Sequence, residues 1–276
     1  MSTTVTIKPK AGTLPAISPD FFWTAKIRKA DLVALSELRE KHGFKKSPAN
    51  LLTLENGNAK LAKGDGLYNV GLSLQPASVS GWNNCPCSTK ECRKFCLATC
   101  GRNNFSNAFR ARQYRTELLY TMPNVFLRIL GSELNRIVKR KGPISLRLNV
   151  LSDLPFHRGM FNAVINEAIG PDSKRYEYTK VKDYLFENSN VHFTYSARSE
   201  KLDPLDGDFI RRVLDGGNSV AVVTHRAPGT TLNGYPTIDG DENDRRYLDP
   251  KGCYVFLKPK GKLANSNSPF IYEMGN

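Results

Sequence analysis

Apolar and polar positions alternate, or run apolar, in six short stretches: 67–74, 144–151, 175–179, 191–196, 219–224 and 253–258. Successive side chains of a strand point to opposite faces, so LYNVGLSL, ISLRLNVL, RYEYT, VHFTYS, SVAVVT and CYVFLK each predict a β-strand. Between them the apolar spacing lengthens to three or four. That spacing predicts a long helix over 107–140, broken near Pro123, and helices over 160–169, 181–187 and 207–215, the last closed by Gly216. Ahead of the first strand, Leu32, Leu35 and Leu38 followed by Gly43 predict a short helix over 29–43. It follows a Pro/Thr/Lys-rich arm at 1–20, and 44–65 reads as loop and turns. Strands alternating with helices make βαβ units and a parallel sheet. The expected fold class is α/β, a complete or partial parallel β/α (TIM-like) barrel. It occupies 66–276, and 1–65 form an N-terminal arm with a short helix.

The loop behind the first strand is the strongest local signal. Five of the six cysteines fall within it, Cys85, Cys87, Cys92, Cys96 and Cys100, and Cys253 lies apart in a strand pattern. Thiols this crowded cannot all form relaxed disulfides, because each bridge needs its own Cα separation and dihedral. They can converge on one soft metal or an iron–sulfur cluster. MSTTVTIKPKAG has no apolar run of the signal-peptide kind, and no window approaches the roughly 18 apolar residues of a membrane span. The thiols are therefore expected in a reducing cytoplasm, which favours ligation, and no membrane partner is expected.

Charge adds a partner. Lys and Arg number 40 against 26 Asp and Glu, a net charge of +14. Half of the surplus lies in 101–141, with nine basic residues and two acids. Such concentration suits phosphate contacts better than general solubility, and nucleic acid, double-stranded DNA first, is the expected partner. Arg110, Arg112 and Arg115 are the candidate contacts.

In β/α barrels chemistry gathers where strands end. Those positions hold Asn149, Ser152 and Asp153, then Lys180, then Ser196 and Arg198, then His225, with Asp239 and Asp241 in a later acidic run. Each also has an ordinary reading: Asp153 as a turn or helix cap, Lys180 as a solvated helix start, His225 as a structural hydrogen-bonder, the acids as a surface turn. Their shared location argues for the set. With no GxGxxG after the first strand and no GxxxxGK[ST], nucleotide-cradle readings are weak.

The order NVGLSLQPASVSGWNNCP, RLNVLSD, YEYTK, TYSARSE and DGDENDRR resembles the bacteriophage "gene product 88" family over roughly 66–262. The resemblance implies three cysteines, Cys85, Cys92 and Cys96, with Cys87 and Cys100 extra, and a phage origin, hence the host cytoplasm. Two enzyme layouts are similar. One is that of guanine transglycosylases and their phage DNA relatives, metal-bearing barrels that replace guanine with a 7-deazaguanine base. There Asp153 would attack the sugar carbon, Asp239 or Asp241 would assist, Lys180 would complete the catalytic set, and zinc would be structural. The other is radical-SAM-like, a cysteine loop after the first strand of a partial barrel holding a 4Fe-4S cluster with S-adenosylmethionine. The expected CxxxCxxC and Gly-Gly-Glu are absent, as is the late zinc-ligand position of the transglycosylases. Base exchange is the first expectation and iron–sulfur chemistry the second. A non-enzymatic, zinc-stabilised nucleic-acid-binding protein is the third.

Overall fold

The computed structural model describes residues 10–44, 50–55 and 65–273. Helix α1 is Lys29–Lys41; strand β1, Leu52–Leu54, lies where loop was expected. Parts of the expected arm and of the 44–65 loop lie outside the described residues. Strand β2, Tyr68–Leu72, leads into the cysteine loop with its short helix α2, Lys90–Lys94. The long helix divides as expected into α3, Ser106–Thr121, and α4, Pro123–Lys141, with Pro123 at the first helical position of α4, where its missing N–H costs nothing. Then follow β3 Ile144–Arg147, α5 Gly159–Ile169, β4 Lys174–Thr179, a 3-10 turn at Lys182–Phe186 and β5 Val191–Ser196. Helix α6 Asp208–Asp215, β6 Ser219–Val223, the short β7 Thr231–Leu232, β8 Tyr235–Asp239 and β9 Tyr254–Leu257 complete the order.

Among the described residues nine strands form one sheet, ordered β1-β2-β3-β4-β5-β6-β9-β8-β7. Every pairing from β2 across to β8 is parallel, and only the edge strands β1 and β7 run against their neighbours. From β2 to β6 the spatial order repeats the chain order, so there is no reversal point of the doubly wound kind. The edges β1 and β7 do not meet. The expectation of a complete barrel is therefore corrected to an open, mostly parallel sheet; β7 and β8 end it as an antiparallel pair, which the sequence reading did not include.

Register fixes two faces. Val70 pairs with Leu146, Leu146 with Arg175, Arg175 with Val191, Tyr195 with Val220 and Val220 with Tyr254. This row meets the helices. Val70, Leu72, Ile144 and Leu146 share a core with Leu118, Leu130 and Ile165 of α3, α4 and α5, and Phe193, Val220 and Tyr254 share another with Ile210 and Val213 of α6. Each such side chain, taken fully out of water, contributes about 1.5–3 kcal/mol. Phe21, Leu35 and Leu38 belong to the first of these cores, so the described part of 1–65 packs into the same body. Arg175, polar within this apolar row, donates to Asn162 and Asn166 of α5 and to the Phe156 carbonyl (2.5, 2.8 and 3.1 Å).

The opposite face is polar: Asn69, Arg147, Tyr176, Tyr178, His192 and Thr194. The segment between β8 and β9 covers it. Tyr247 sets its ring against Tyr176 at 5.8 Å and donates its hydroxyl to Asp65, and Arg246, fully buried, pairs with Asp249 at 3.3 Å. Arg147 lies over the Tyr178 ring at 4.6 Å. Among the described residues no helix is long and apolar enough to cross a membrane.

Candidate functional site

Parallel strands deliver their following loops to one end of the sheet. The loop behind β2 is anchored there through Gln75, 1% exposed. Its N–H donates to Thr116 Oγ1 (2.9 Å), its amide donates to the Phe109 carbonyl (3.1 Å), and its Oε1 accepts from Arg112 (3.2 Å). Its carbonyl accepts from Asn84 Nδ2 at 2.6 Å, and Asn84 Oδ1 in turn accepts from the Tyr120 hydroxyl at 2.8 Å. The residue before Cys85 is thus fixed from three sides, because its carbonyl also accepts the Asp153 N–H at 2.8 Å. Residues 12 and 13 strap the loop from outside. Gly12 donates to the Asn83 carbonyl at 2.9 Å, and its φ of +73° and the Pro86 ring against it leave no room for a side chain.

Three thiols neighbour one another. Cys85 Sγ accepts from the Ala77 N–H at 3.2 Å and donates to the Leu151 carbonyl at 3.6 Å, bridging the loops behind β2 and β3. Burial pushes it up to about 12, and Asp153, Cys92 and Cys96 add to the effect. Cys92 sits on α2, whose N-cap Thr89 accepts the Cys92 N–H at 3.0 Å. Cys96 is raised mainly by burial, with Cys92 and Cys100 contributing. The two extra cysteines differ. Cys87 is raised by burial and then by Asp153, with Arg198 and Asp183 nearby; Cys100 packs onto Gly261. Three soft thiols suit a soft metal or cluster. Among the described residues His, Cys, Asp and Glu form no group of three or more spaced to hold a metal ion, so the thiols stand as neighbours rather than a closed ligand set. Cys253 is fully buried at the other end of the sheet, against Ser219 at 3.4 Å.

Beside the thiols stand the exits of β3, β4 and β5. Asp153 is 7% exposed, with Oδ1 accepting from Thr179 Oγ1 and Oδ2 from the Lys180 N–H, both at 2.8 Å. Burial nevertheless pushes its carboxyl up to about 6. Asn149 and Ser152 form the turn that delivers it. Asn149 Oδ1 accepts from Ser152 Oγ (2.8 Å) and the Leu154 N–H (2.9 Å). The turn is itself gripped by Glu177, which accepts from the Leu148 and Asn149 N–H groups (2.7 and 2.9 Å) and is pushed up to about 7 by burial. Lys180 turns its ammonium onto Ser196, donating to the carbonyl (2.9 Å) and Oγ (2.8 Å), under the Phe270 ring at 5.1 Å. Burial lowers its pKa, opposed by Cys92 and Asp153. Arg198 forks onto Asp203 with bonds of 2.9 and 2.8 Å.

Asp153, Lys180, Ser196, Arg198 and the cysteine loop thus share one end of the sheet. The remaining expected residues stand apart. Asp239 Oδ1 accepts the Asp241 N–H, and Asp241 holds Lys258 N–H and Lys260, stapling the exits of β8 and β9. Four strands lie between β3 and β8 in the sheet, and no hydrogen bond or ion pair among the described residues joins either acid to Asp153. His225 is exposed on the loop behind β6. Of the three arginines, Arg112 is buried on Gln75 and the Asn103 carbonyl (3.0 Å), and Arg115 reaches the Ser73 and Asn50 carbonyls, its pKa lowered by burial to about 10. Arg112 and Arg115 are thus engaged within the fold, and of the three expected phosphate contacts Arg110 alone is exposed. Sequence reasoning missed Gln75, Asn84, Glu177, Asp203 and Phe270. Gln75, Asn84 and Glu177 lie inside the stretches NVGLSLQPASVSGWNNCP and YEYTK, but no residue type or spacing marked them for chemistry; Asp203 and Phe270 stand outside any motif.

A family model described as gene product 88 matches residues 51–273. No curated protein and no solved structure matches the chain.

Proposed function

The chain belongs to the gene product 88 family of bacteriophage proteins, and from that premise we propose that it is a nucleic-acid-modifying enzyme whose Cys85, Cys92 and Cys96 hold an iron–sulfur cluster. One observation carries the reading: three neighbouring thiols stand at the exit of the first of a run of parallel strands laid side by side in chain order. That one-way order is the order of a partial β/α barrel, and the thiol loop stands where such a barrel keeps its chemistry. An iron–sulfur cluster held by Cys85, Cys92 and Cys96 would supply one-electron chemistry, with S-adenosylmethionine as its co-reactant.

The chain's own residues would do the rest. Thr89 and Asn84 fix the loop ends, so the thiols are oriented before any ligand arrives. Lys180, held on Ser196, places its ammonium near Cys92, at the edge of the thiol loop. Arg198, half-buried on Asp203, stands near Cys87 and would present its remaining edge to an anionic substrate.

Base exchange through Asp153 is the second reading, with zinc on the same thiols. Its support is a carboxyl raised to about 6 beside the loop. Against it, both oxygens are already engaged by Thr179 and Lys180, and Asp239 and Asp241 are tied up elsewhere. The test is anaerobic purification with metal and sulfide analysis of wild type, Cys92→Ser and Cys253→Ser. Iron with sulfide in wild type and Cys253→Ser, lost in Cys92→Ser, is expected. Zinc without sulfide would move the assignment to base exchange or to a zinc-stabilised binding protein. Equal loss from both variants would end the thiol-site reading.

A further inference from the structure

Immediately behind the thiols the chain shows an apolar surface that the fold does not use. Phe105 is 64% exposed, Phe109 44% and Leu97 50%. Phe105 is the N-cap residue of α3 and its carbonyl accepts the Phe109 N–H at 3.0 Å, so the two phenylalanines stand one turn apart at the start of the helix. Residues 101–107 are exposed without a break. Exposed apolar side chains scattered singly need no explanation, but two phenylalanines one turn apart beside a candidate site do.

The charge around them is one-sided. From 90 to 110 there are five basic residues, Lys90, Arg93, Lys94, Arg102 and Arg110, against one acid, Glu91. All five are exposed, whereas Glu91 is turned to Ser268 Oγ at 3.0 Å. Arg110 is already near an aromatic face, 5.8 Å from the Phe44 ring. A membrane surface or a second copy of the chain would also meet exposed phenylalanines. A row of cations with flat rings one turn apart matches a strand of unpaired bases better: phosphates take the cations, bases take the rings.

We propose that Phe105 and Phe109, flanked by Arg102 and Arg110, form a stacking platform for single-stranded nucleic acid, which leads the strand to the thiol loop. This deepens the nucleic-acid reading above by naming the form of the substrate. It also shifts the expected partner from duplex DNA to an unpaired strand, because a ring can stack only on a base whose face is open.

The experiment uses the full chain and a twelve-nucleotide oligothymidylate, with binding followed by fluorescence anisotropy across a salt series. Phe105→Ala/Phe109→Ala should weaken binding at least about thirtyfold and leave the log–log salt slope unchanged, since stacking releases no counterions. Arg102→Ala/Arg110→Ala should flatten the slope by about 1.4. Circular dichroism should be that of wild type in both, because all four side chains are exposed. Wild-type affinity in the phenylalanine variant would overturn the proposal. So would unchanged strand binding with loss of self-association in light scattering, or with loss of binding to vesicles of anionic lipid. Metal and sulfide content is read on the same samples. A metal-free wild type whose phenylalanine variant loses the oligonucleotide keeps the platform and removes the cluster; the converse removes the platform alone.

Discussion

Asp153→Asn separates a buried carboxyl from its hydrogen bonds. The wild-type carboxyl is raised from 3.8 to about 6 by burial, although Thr179 and the Lys180 N–H donate to it. A folded pKa above the unfolded one contributes stability that is complete below about pH 3.8 and is lost as pH rises through about 6. For a shift of this size the loss between about pH 4.5 and pH 8 is roughly 2 kcal/mol. Asparagine cannot ionise. It keeps an acceptor for the Lys180 N–H and turns its amide toward Thr179, at a cost of about 1 kcal/mol. The variant should therefore be about 1 kcal/mol less stable than wild type near pH 4.5 and about 1 kcal/mol more stable near pH 8. Urea melts followed by circular dichroism at both pH values measure the crossing. A wild-type-minus-variant difference that is the same at both would mean that Asp153 ionises in the fold as it does in the unfolded chain, and the argument from burial would fail.

Gln75→Leu removes the two side-chain hydrogen bonds of a 1% exposed amide, to the Phe109 carbonyl and from Arg112, and leaves the buried Arg112 guanidinium short of an acceptor; it should cost about 2–4 kcal/mol in urea melts. Arg175→Ala strips the clamp between β4 and α5 and should cost about 3 kcal/mol, measured by the same melts, where a loss under 1 kcal/mol would refute it. Gly12→Val meets both a φ of +73° and the Pro86 ring, so proteolysis within 83–100 should quicken while β9 stays protected in hydrogen exchange.

The regular part of this fold was legible because each strand there has one apolar face against helices. The reading of 191–196 matches β5 residue for residue. Openness was not legible. Whether β1 meets β7 depends on contacts between segments nearly 180 residues apart, which local periodicity does not encode. Strand β8, YPTID, escaped notice because Pro236 interrupts it and none of its five residues is fully buried. At the candidate site the thiol loop and Asp153 were readable from residue type and position. Arg112 and Arg115 were misread because a count of charges carries no direction. Their spacing held the missing signal, since 112, 115 and 119 fall on one helical stripe and Leu119 is fully buried.

Two contacts described above reach the mouth from far along the chain: Ser268 on Glu91 and Phe270 over Lys180. Both residues leave the ribosome after the last strand is made. A nascent chain halted behind β9 would own every strand and every thiol, yet Lys180 would lack its roof and α2 its tether. If the thiols take up the metal proposed above before those two contacts form, it arrives at an open loop; if afterwards, it must pass a finished rim. Pulse-labelled translation products of increasing length, challenged with a thiol reagent, would date the closing of that rim.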